Sequence, residues 1–332
     1  MKIIADAFGG DNAPLAVIEA SVKASKELGI EMVLSGNEEI IKNTAKENNI
    51  SLENIEIINA DDVIDMHDDP KEVIRSKSGS SMAVGLKALA EGKGDAFISA
   101  GSTGALIMGS TFIVKRIKGI KRAAFGSCLP TLNGGQFFLM DEGANVECRP
   151  EMLLQFGVMA SVYVENVVGI KNPRVALLNV GTEDTKGTEL QLEAYKLLQN
   201  SNVNFIGNVE ARDLMYGVAD VVITDGFSGN IALKSIEGTA KAIMKMLKSA
   251  FTTNIITKIA AALVMPQLKV IKDTMDYRKI GGAPVIGVKK PVFKAHGNSD
   301  SEAFFNAIRL LKTGVENNMI EKIENVLGKE KE

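Results

Sequence analysis

Short apolar runs and longer amphipathic stretches take turns along this chain. Runs at residues 2–5, 31–35, 55–59, 95–99, 174–178 and 221–223 are rich in Ile, Val and Leu and are bounded mostly by Gly, Asp or Asn. That is the pattern of strands covered on both faces. Between them, apolar residues recur every three or four positions, which predicts helices over 15–28, 38–48, 82–90 and 150–164. A further helix is predicted from 231 to 250, where Ile236, Ala240, Ile243, Leu247 and Ala250 share one face. Strands at 123–130 and 136–139 are joined by a turn at Asn133-Gly134-Gly135. Strand alternating with helix predicts a mostly parallel sheet with helices on both sides.

After residue 250 the rhythm changes. Ile255, Ile256, Ile259, Ala260, Leu263 and Val264 form one apolar stripe, Pro266 interrupts it, and Leu268, Val270 and Ile271 resume it. We expect a helical hairpin over 251–275, protruding from a single α/β domain that spans 1–332. Its apolar tip, 261–268, carries Leu263, Val264, Met265 and Leu268. An exposed tip of this kind calls for cover by a second subunit, a membrane surface, or both.

The chemistry gathers where predicted strands end and helices begin. At that edge of an open α/β sheet, main-chain N–H groups and helix dipoles converge, and an anion is the natural guest. Four such junctions occur. The first holds Asp6, Gly9 and Gly10, whose glycines allow close backbone approach. The second, Ala100-Gly101-Ser102-Thr103-Gly104, exposes amides but lacks the spacing of a dinucleotide fingerprint. In the third, Lys186 is placed to meet an anion, with the Thr182 hydroxyl nearby; a solvated lysine is the alternative. The fourth, Asp225 to Asn230, offers a carboxylate, the Ser228 hydroxyl and the Asn230 amide, which can polarise a carbonyl or phosphoryl oxygen; here too Asp225 or Ser228 could simply cap the helix. His296 lies in a glycine-bearing loop, either as a substrate contact or in a structural hydrogen bond.

Composition narrows the function classes. Of 332 residues, 45% are hydrophobic and 24% charged, an ordinary globular balance, and the net charge of −3 gives no global basic field for nucleic acid. A basic cluster at 115–122 reads as a solvated helix end or a dock for an acidic partner. Cys128 and Cys148 are too few for a disulfide framework or a zinc site, and the aspartates around His67 sit in a Pro-terminated turn without a second histidine, so no metal or cofactor is expected. The amino terminus has too short an apolar run for a signal peptide, and a reducing cytoplasm fits. No Ser-His-Asp order is present. Amide-rich loops with one lysine and one asparagine suit electrostatic catalysis on an anion more than covalent catalysis.

The segments DAFGGDNAP, IRSKSGSSM, SAGSTGA, DEGANVECRP, NVGTEDTKGTEL, GNVEARD, DGFSGN and AHGNSD, in this order over nearly the whole chain, resemble the bacterial phosphate acyltransferases known as PlsX. The resemblance implies transfer of a fatty acyl group from acyl carrier protein to inorganic phosphate, giving acyl phosphate for phosphatidic acid synthesis. It further implies a homodimer, peripheral contact with the inner face of the cell membrane, and a glycerol-3-phosphate acyltransferase downstream. The implied fold is a three-layer α/β/α sandwich like that of isocitrate and isopropylmalate dehydrogenases. By position, Lys186 and Asn230 match residues that the family uses in catalysis, and the hairpin matches its apolar dimer tip. Phe8 and Asn12 depart from the methionine and histidine common there. The competing readings are a phosphotransacetylase-like enzyme acting on short acyl-CoA, a decarboxylating dehydrogenase on the same fold, and a non-enzymatic membrane scaffold.

Overall fold

The computed structural model describes residues 1–274 and 281–329, without the side chains of 267–274, 328 and 329. The side chain of Leu268, expected at the hairpin tip, therefore lies outside the described residues.

Among the described residues, eleven strands form one sheet: β1 (Lys2–Asp6), β2 (Glu31–Gly36), β3 (Ile55–Asn59), β4 (Ala96–Ser99), β5 (Ala124–Pro130), β6 (Gln136–Met140), β7 (Val175–Asn179), β8 (Phe205–Glu210), β9 (Val221–Ile223), β10 (Ala283–Ile286) and β11 (Val292–Lys294). Their order is β3-β2-β1-β4-β11-β10-β5-β6-β9-β7-β8. Pairing is parallel except in the middle, where β10 runs antiparallel to both β11 and β5, and β5 antiparallel to β6. The helices are α1 (Leu15–Leu28), α2 (Glu38–Glu47), α3 (Ser81–Ala90), α4 (Thr103–Gly109), α5 (Pro150–Tyr163), α6 (Glu189–Gln199), α7 (Gly226–Phe251), α8 (Ile255–Thr274), α9 (Ser301–Glu316) and α10 (Met319–Lys329).

Both faces of the sheet are buried. Ile3 and Ala5 pack into one apolar cluster with residues of α1, α5, α6, α9 and α10, while Ile4 between them packs into another with residues of α3 and α4. A strand turns successive side chains to opposite faces, so a continuous apolar run is what two helical layers require. The expected three-layer α/β/α architecture with a mostly parallel sheet is therefore the one observed.

Three strands carry too little apolar signal to be read from sequence. The edge strand β8 contains Gly207 and Asn208, and β10 and β11 span only four and three residues. The helix expected from residue 231 begins at Gly226, because the Asp225 carboxylate caps it by accepting from the Ser228 N–H at 2.8 Å. The hairpin also differs from expectation. Its turn lies between α7 and α8, at residues 252–254, rather than at 261–268, and α8 runs through Pro266. Pro266 lacks an N–H but sits on an exposed helix, where water can satisfy the carbonyl one turn back.

Candidate active site

Register places three polar residues side by side at the carboxyl ends of adjacent strands. Ala5 of β1 pairs with Ile98 of β4, so Asp6 lies beside Ser99, and Lys294 of β11 pairs with Ser99 from the other side. The Ser99 Oγ donates to Asp6 Oδ2 at 2.7 Å and accepts from the Gly101 N–H at 2.9 Å. Lys294 Nζ donates to the carbonyls of Ala100 and Ala295 at 2.8 and 2.7 Å. Burial raises Asp6 above the ordinary carboxylate range, opposed by hydrogen bonds from Ser81 and Ser99 and by the charge of Lys294. Burial pulls Lys294 down to about 8 against the charges of Asp6 and Asp11.

The first loop locks this arrangement. A Cβ on Gly9 would lie 2.6 Å from the Gly101 nitrogen, and Gly10, at φ +101°, sits against Ala100 and the Gly297 carbonyl. Asn12 ties the same loops together, donating through Nδ2 to the carbonyls of Asn298 and Ser299. Asp6, Gly9 and Gly10 thus build the floor and the loop contacts. Ser102 accepts from the Ala105 N–H as the cap of α4.

Above this floor a cleft of about 570 Å³ brings together Thr103 and Gly104 from the start of α4, Asn230 from the first turns of α7 and His296 from the loop after β11, with Asp11, Glu142 and Lys294. The Asn230 amide is held by a 2.9 Å hydrogen bond from Nδ2 to the Glu142 carbonyl. Gly143, at φ +125°, lies under it, where a Cβ would come within 2.9 Å of that nitrogen. Gly229 seats the helix still more closely, since a Cβ there would stand 1.9 Å from the Asp141 carbonyl oxygen. This contact closes the start of α7. The Gly226 N–H donates to Asn145 and the Ser228 N–H to Asp225, so those amides are not offered to an anion. Asp225 is a buried helix cap.

Glu142 is 3% exposed, its Oε1 accepts from Ser127 Oγ at 2.7 Å, and its Oε2 has no hydrogen-bond partner among the described residues. Burial, reinforced by the charges of Asp141 and Glu237, pushes its carboxyl up to about 8. Burial holds His296 below the usual imidazole value, opposed by the charge of Glu237 and the Asn298 contact and reinforced by the charge of Lys294. Cys128 also lines the cleft, but burial raises its thiol to about 12, so it is no thiolate nucleophile at neutral pH.

Lys186 and Thr182 are exposed on the loop between β7 and α6 and line neither this cleft nor its neighbour described below. Lys186 makes no ion pair among the described residues, and its stem lies against Gly181. Ser228 lines the neighbouring cavity. The structure thus unites Thr103, Gly104, Asn230 and His296 and leaves Lys186 and Thr182 apart.

Lys294 and Glu142 were not singled out from sequence. The local signal for the lysine is limited to its place directly before the His296 loop, because the three-residue strand that buries it is not legible in sequence. Polar residues before α3 and in the aspartate-rich turn around His67 have structural partners. Lys77 pairs with Asp68 at 2.6 Å, Ser80 caps α3, and Asp65 and Asp69 accept main-chain N–H groups in their turn. In the basic cluster, Lys121 pairs with Glu151 at 3.4 Å.

The sequence model of a family described as "Fatty acid synthesis protein" matches residues 1–322. A phosphate acyltransferase of Bacillus licheniformis is 49% identical over 325 residues, covering 98% of this chain and 97% of that one. One from Anoxybacillus flavithermus is 47% identical over 333 residues and the full length of both. Among solved structures, a phosphotransacetylase from Streptococcus pyogenes superimposes with a TM-score of 0.65 at 18% identity, covering 95% of this chain and 94% of its own. A branched-chain phosphotransacylase from Enterococcus faecalis gives 0.60 at 15% identity, covering 95% and 99%. At these identities the structures establish a shared fold.

Proposed function

The chain belongs to the fatty acid synthesis protein family of phosphate acyltransferases known as PlsX, and from that premise we propose that it transfers a fatty acyl group from acyl-[acyl carrier protein] to inorganic phosphate. The observation that carries this reading is the cleft in which a held amide, Asn230, faces a buried cation, Lys294, with no reactive thiol beside them.

The chemistry needs little from the protein beyond placement and charge. A phosphate oxygen attacks the thioester carbonyl carbon, a C–O bond forms, the C–S bond breaks, and the carrier leaves as a thiolate that takes a proton from water. Phosphate is largely deprotonated near neutral pH and a thiolate is a good leaving group, so neither a strong base nor a strong acid is required. Asn230 donates to the carbonyl oxygen as it gains charge, through the N–H that Glu142 leaves unused. Lys294 attracts phosphate into the cleft, and His296, Thr103 and the Gly104 backbone line its seat. Lys186 closes over the reacting group from its exposed loop and offsets the developing negative charge.

The protein acts as a homodimer in the cytoplasm, on the inner face of the membrane. No described helix is long and apolar enough to cross a membrane. The exposed Ile255, Ile256, Ile259, Leu263, Val264 and Met265 of α8 instead support lateral contact with a second subunit or with lipid. The acyl phosphate passes to a glycerol-3-phosphate acyltransferase.

The test is thiol release from palmitoyl-[acyl carrier protein] by purified protein, with and without phosphate and beside palmitoyl-CoA. Phosphate-dependent release from the carrier substrate is the expected result. Release from CoA alone would move the assignment to a phosphotransacetylase-like reaction.

A further inference from the structure

α7 is the wall between two cavities of opposite chemistry. Asn230, Leu233, Lys234 and Glu237, spaced three and four apart, face the charged cleft. Ser228, Ile231, Ala232 and Ser235, on the adjoining face of the same helix, look into a second cavity of about 470 Å³. That cavity is completed by β7, the Gly187-Thr188 turn and the chain following β8, and among the described residues no ionisable side chain lines it. Leu178 and Leu214 lie buried in its wall, whereas Val180 and Ile231 stand at its edge 79% and 51% exposed. Its polar atoms come from uncharged side chains and the backbone.

From this juxtaposition we propose that the second cavity is the acyl-chain groove, so that the substrate straddles the first turns of α7. The proposal rests on the acyl-transfer reading above. The hydrocarbon lies along Ile231, Ala232 and Ile236, the thioester carbonyl lies at the start of α7 between Ser228 and Asn230, and phosphate occupies the charged cleft. Three features support one occupant, a long hydrocarbon chain. The volume falls in the range of ligand pockets of roughly 300–1,000 Å³. An uncharged lining beside a charged cleft matches a substrate with an apolar tail and an anionic reaction partner. Ser228 lines one cavity and Asn230, two residues on along α7, lines the other, so a chain anchored by its carbonyl at Asn230 reaches the groove across the first turn of the helix. Exposed Val180 and Ile231 are then covered by substrate rather than left in water. The groove also brings the Lys186 loop into the site, because Gly187 and Thr188 form part of its wall.

Each methylene removed from water favours binding by roughly fourfold, so a shortened groove reduces selectivity for long chains steeply. The test fills the groove with Ala232→Phe and, separately, with Ser235→Trp at an exposed position, both in the full-length protein. For each, kcat/KM is measured with acyl-[acyl carrier protein] of 8 and of 16 carbons, together with oligomeric state and circular dichroism. The expected result is a fall of at least about tenfold in the ratio of 16-carbon to 8-carbon kcat/KM, equivalent to about two methylenes. An unchanged ratio beside an active wild type overturns the groove, including the case in which both substrates lose rate equally because the face binds a second copy of the chain. Should one variant not fold, the other decides. Absence of phosphate-dependent thiol release from the wild type at either chain length overturns the acyl-transfer reading itself, and the groove with it.

Discussion

Asn230 Nδ2 donates a 2.9 Å hydrogen bond to the main-chain carbonyl of Glu142, a residue 88 positions earlier in the chain. One amide N–H of Asn230 is thereby fixed and the other is left for the cleft. The bond also joins the start of α7 to the segment that follows β6, so the proposed oxyanion donor is held by two elements at once. Preorganisation of this kind is what makes a single donor catalytically large.

Asn230→Ala should lower kcat for phosphate-dependent thiol release by about 10²–10³-fold, with KM within a few-fold. Loss of one hydrogen bond costs about 1 kcal/mol, a melting shift of only a few degrees. A variant that retains most of its kcat would remove Asn230 from the reaction.

Lys186→Ala tests a residue whose position differs in kind. Its exposed side chain has no ion pair among the described residues, so stability should change by no more than about 0.5 kcal/mol. If Lys186 closes over the reacting group, kcat falls by about 10²-fold with melting temperature unchanged. Steady-state kinetics beside a thermal melt separates the two quantities.

Gly229→Ala forces a Cβ onto the Asp141 carbonyl, 1.9 Å away on the present backbone. Relief requires α7 to lift from the segment after β6, at a cost of about 1–3 kcal/mol. The shift carries Asn230 with it, and misplacement by about 1 Å is enough for a 10²-fold loss of rate. Full activity in a folded Gly229→Ala protein would show that the seat of α7 does not matter.

The pH dependence has a definite sign. Lys294 is held down at about 8, so it carries its charge below pH 8 and loses it above; Glu142 is held up at about 8, so it is neutral below pH 8 and ionises above. Both changes make the cleft more negative as pH rises through 8. Asp11, Lys234, Glu237 and His296 share the lining, and Asp141 adjoins it. kcat/KM for phosphate should therefore decline above an apparent pKa near 8, and Glu142→Gln should make that decline shallower. A profile flat to pH 9.5 would contradict both assignments.

Leu263→Glu with Val264→Glu should abolish sedimentation with anionic liposomes. Leu263 is 76% exposed on α8, and each large apolar side chain contributes about 1.5–3 kcal/mol when buried in lipid. Unchanged sedimentation by a still-dimeric variant would leave α8 as a subunit contact alone.

Much of this protein was legible in its residues. The apolar runs around Ile3 and Val222 demanded strands with two covered faces, and the glycines after them marked the sheet edge at which the cleft lies. These features are local, because periodicity and backbone freedom depend on near neighbours in sequence. Asn230 and His296 could be singled out for the same reason. The joining of β11 to β4, which sets Lys294 beside Ser99 and within the field of Asp6, could not be read that way, since the pairing connects residues far apart and β11 is only three residues long. The capping of α7 at Asp225 was open to sequence reading as an alternative, but only the fold shows that it turns an expected loop into a helical turn and closes the amides expected to hold an anion. The sequence determined the strands, the helices and the loops in which chemistry would be found. Tertiary structure decided which loops meet, which charges are buried, and that α7 separates a charged cleft from an apolar groove, because burial and long-range register exist only once the chain has folded.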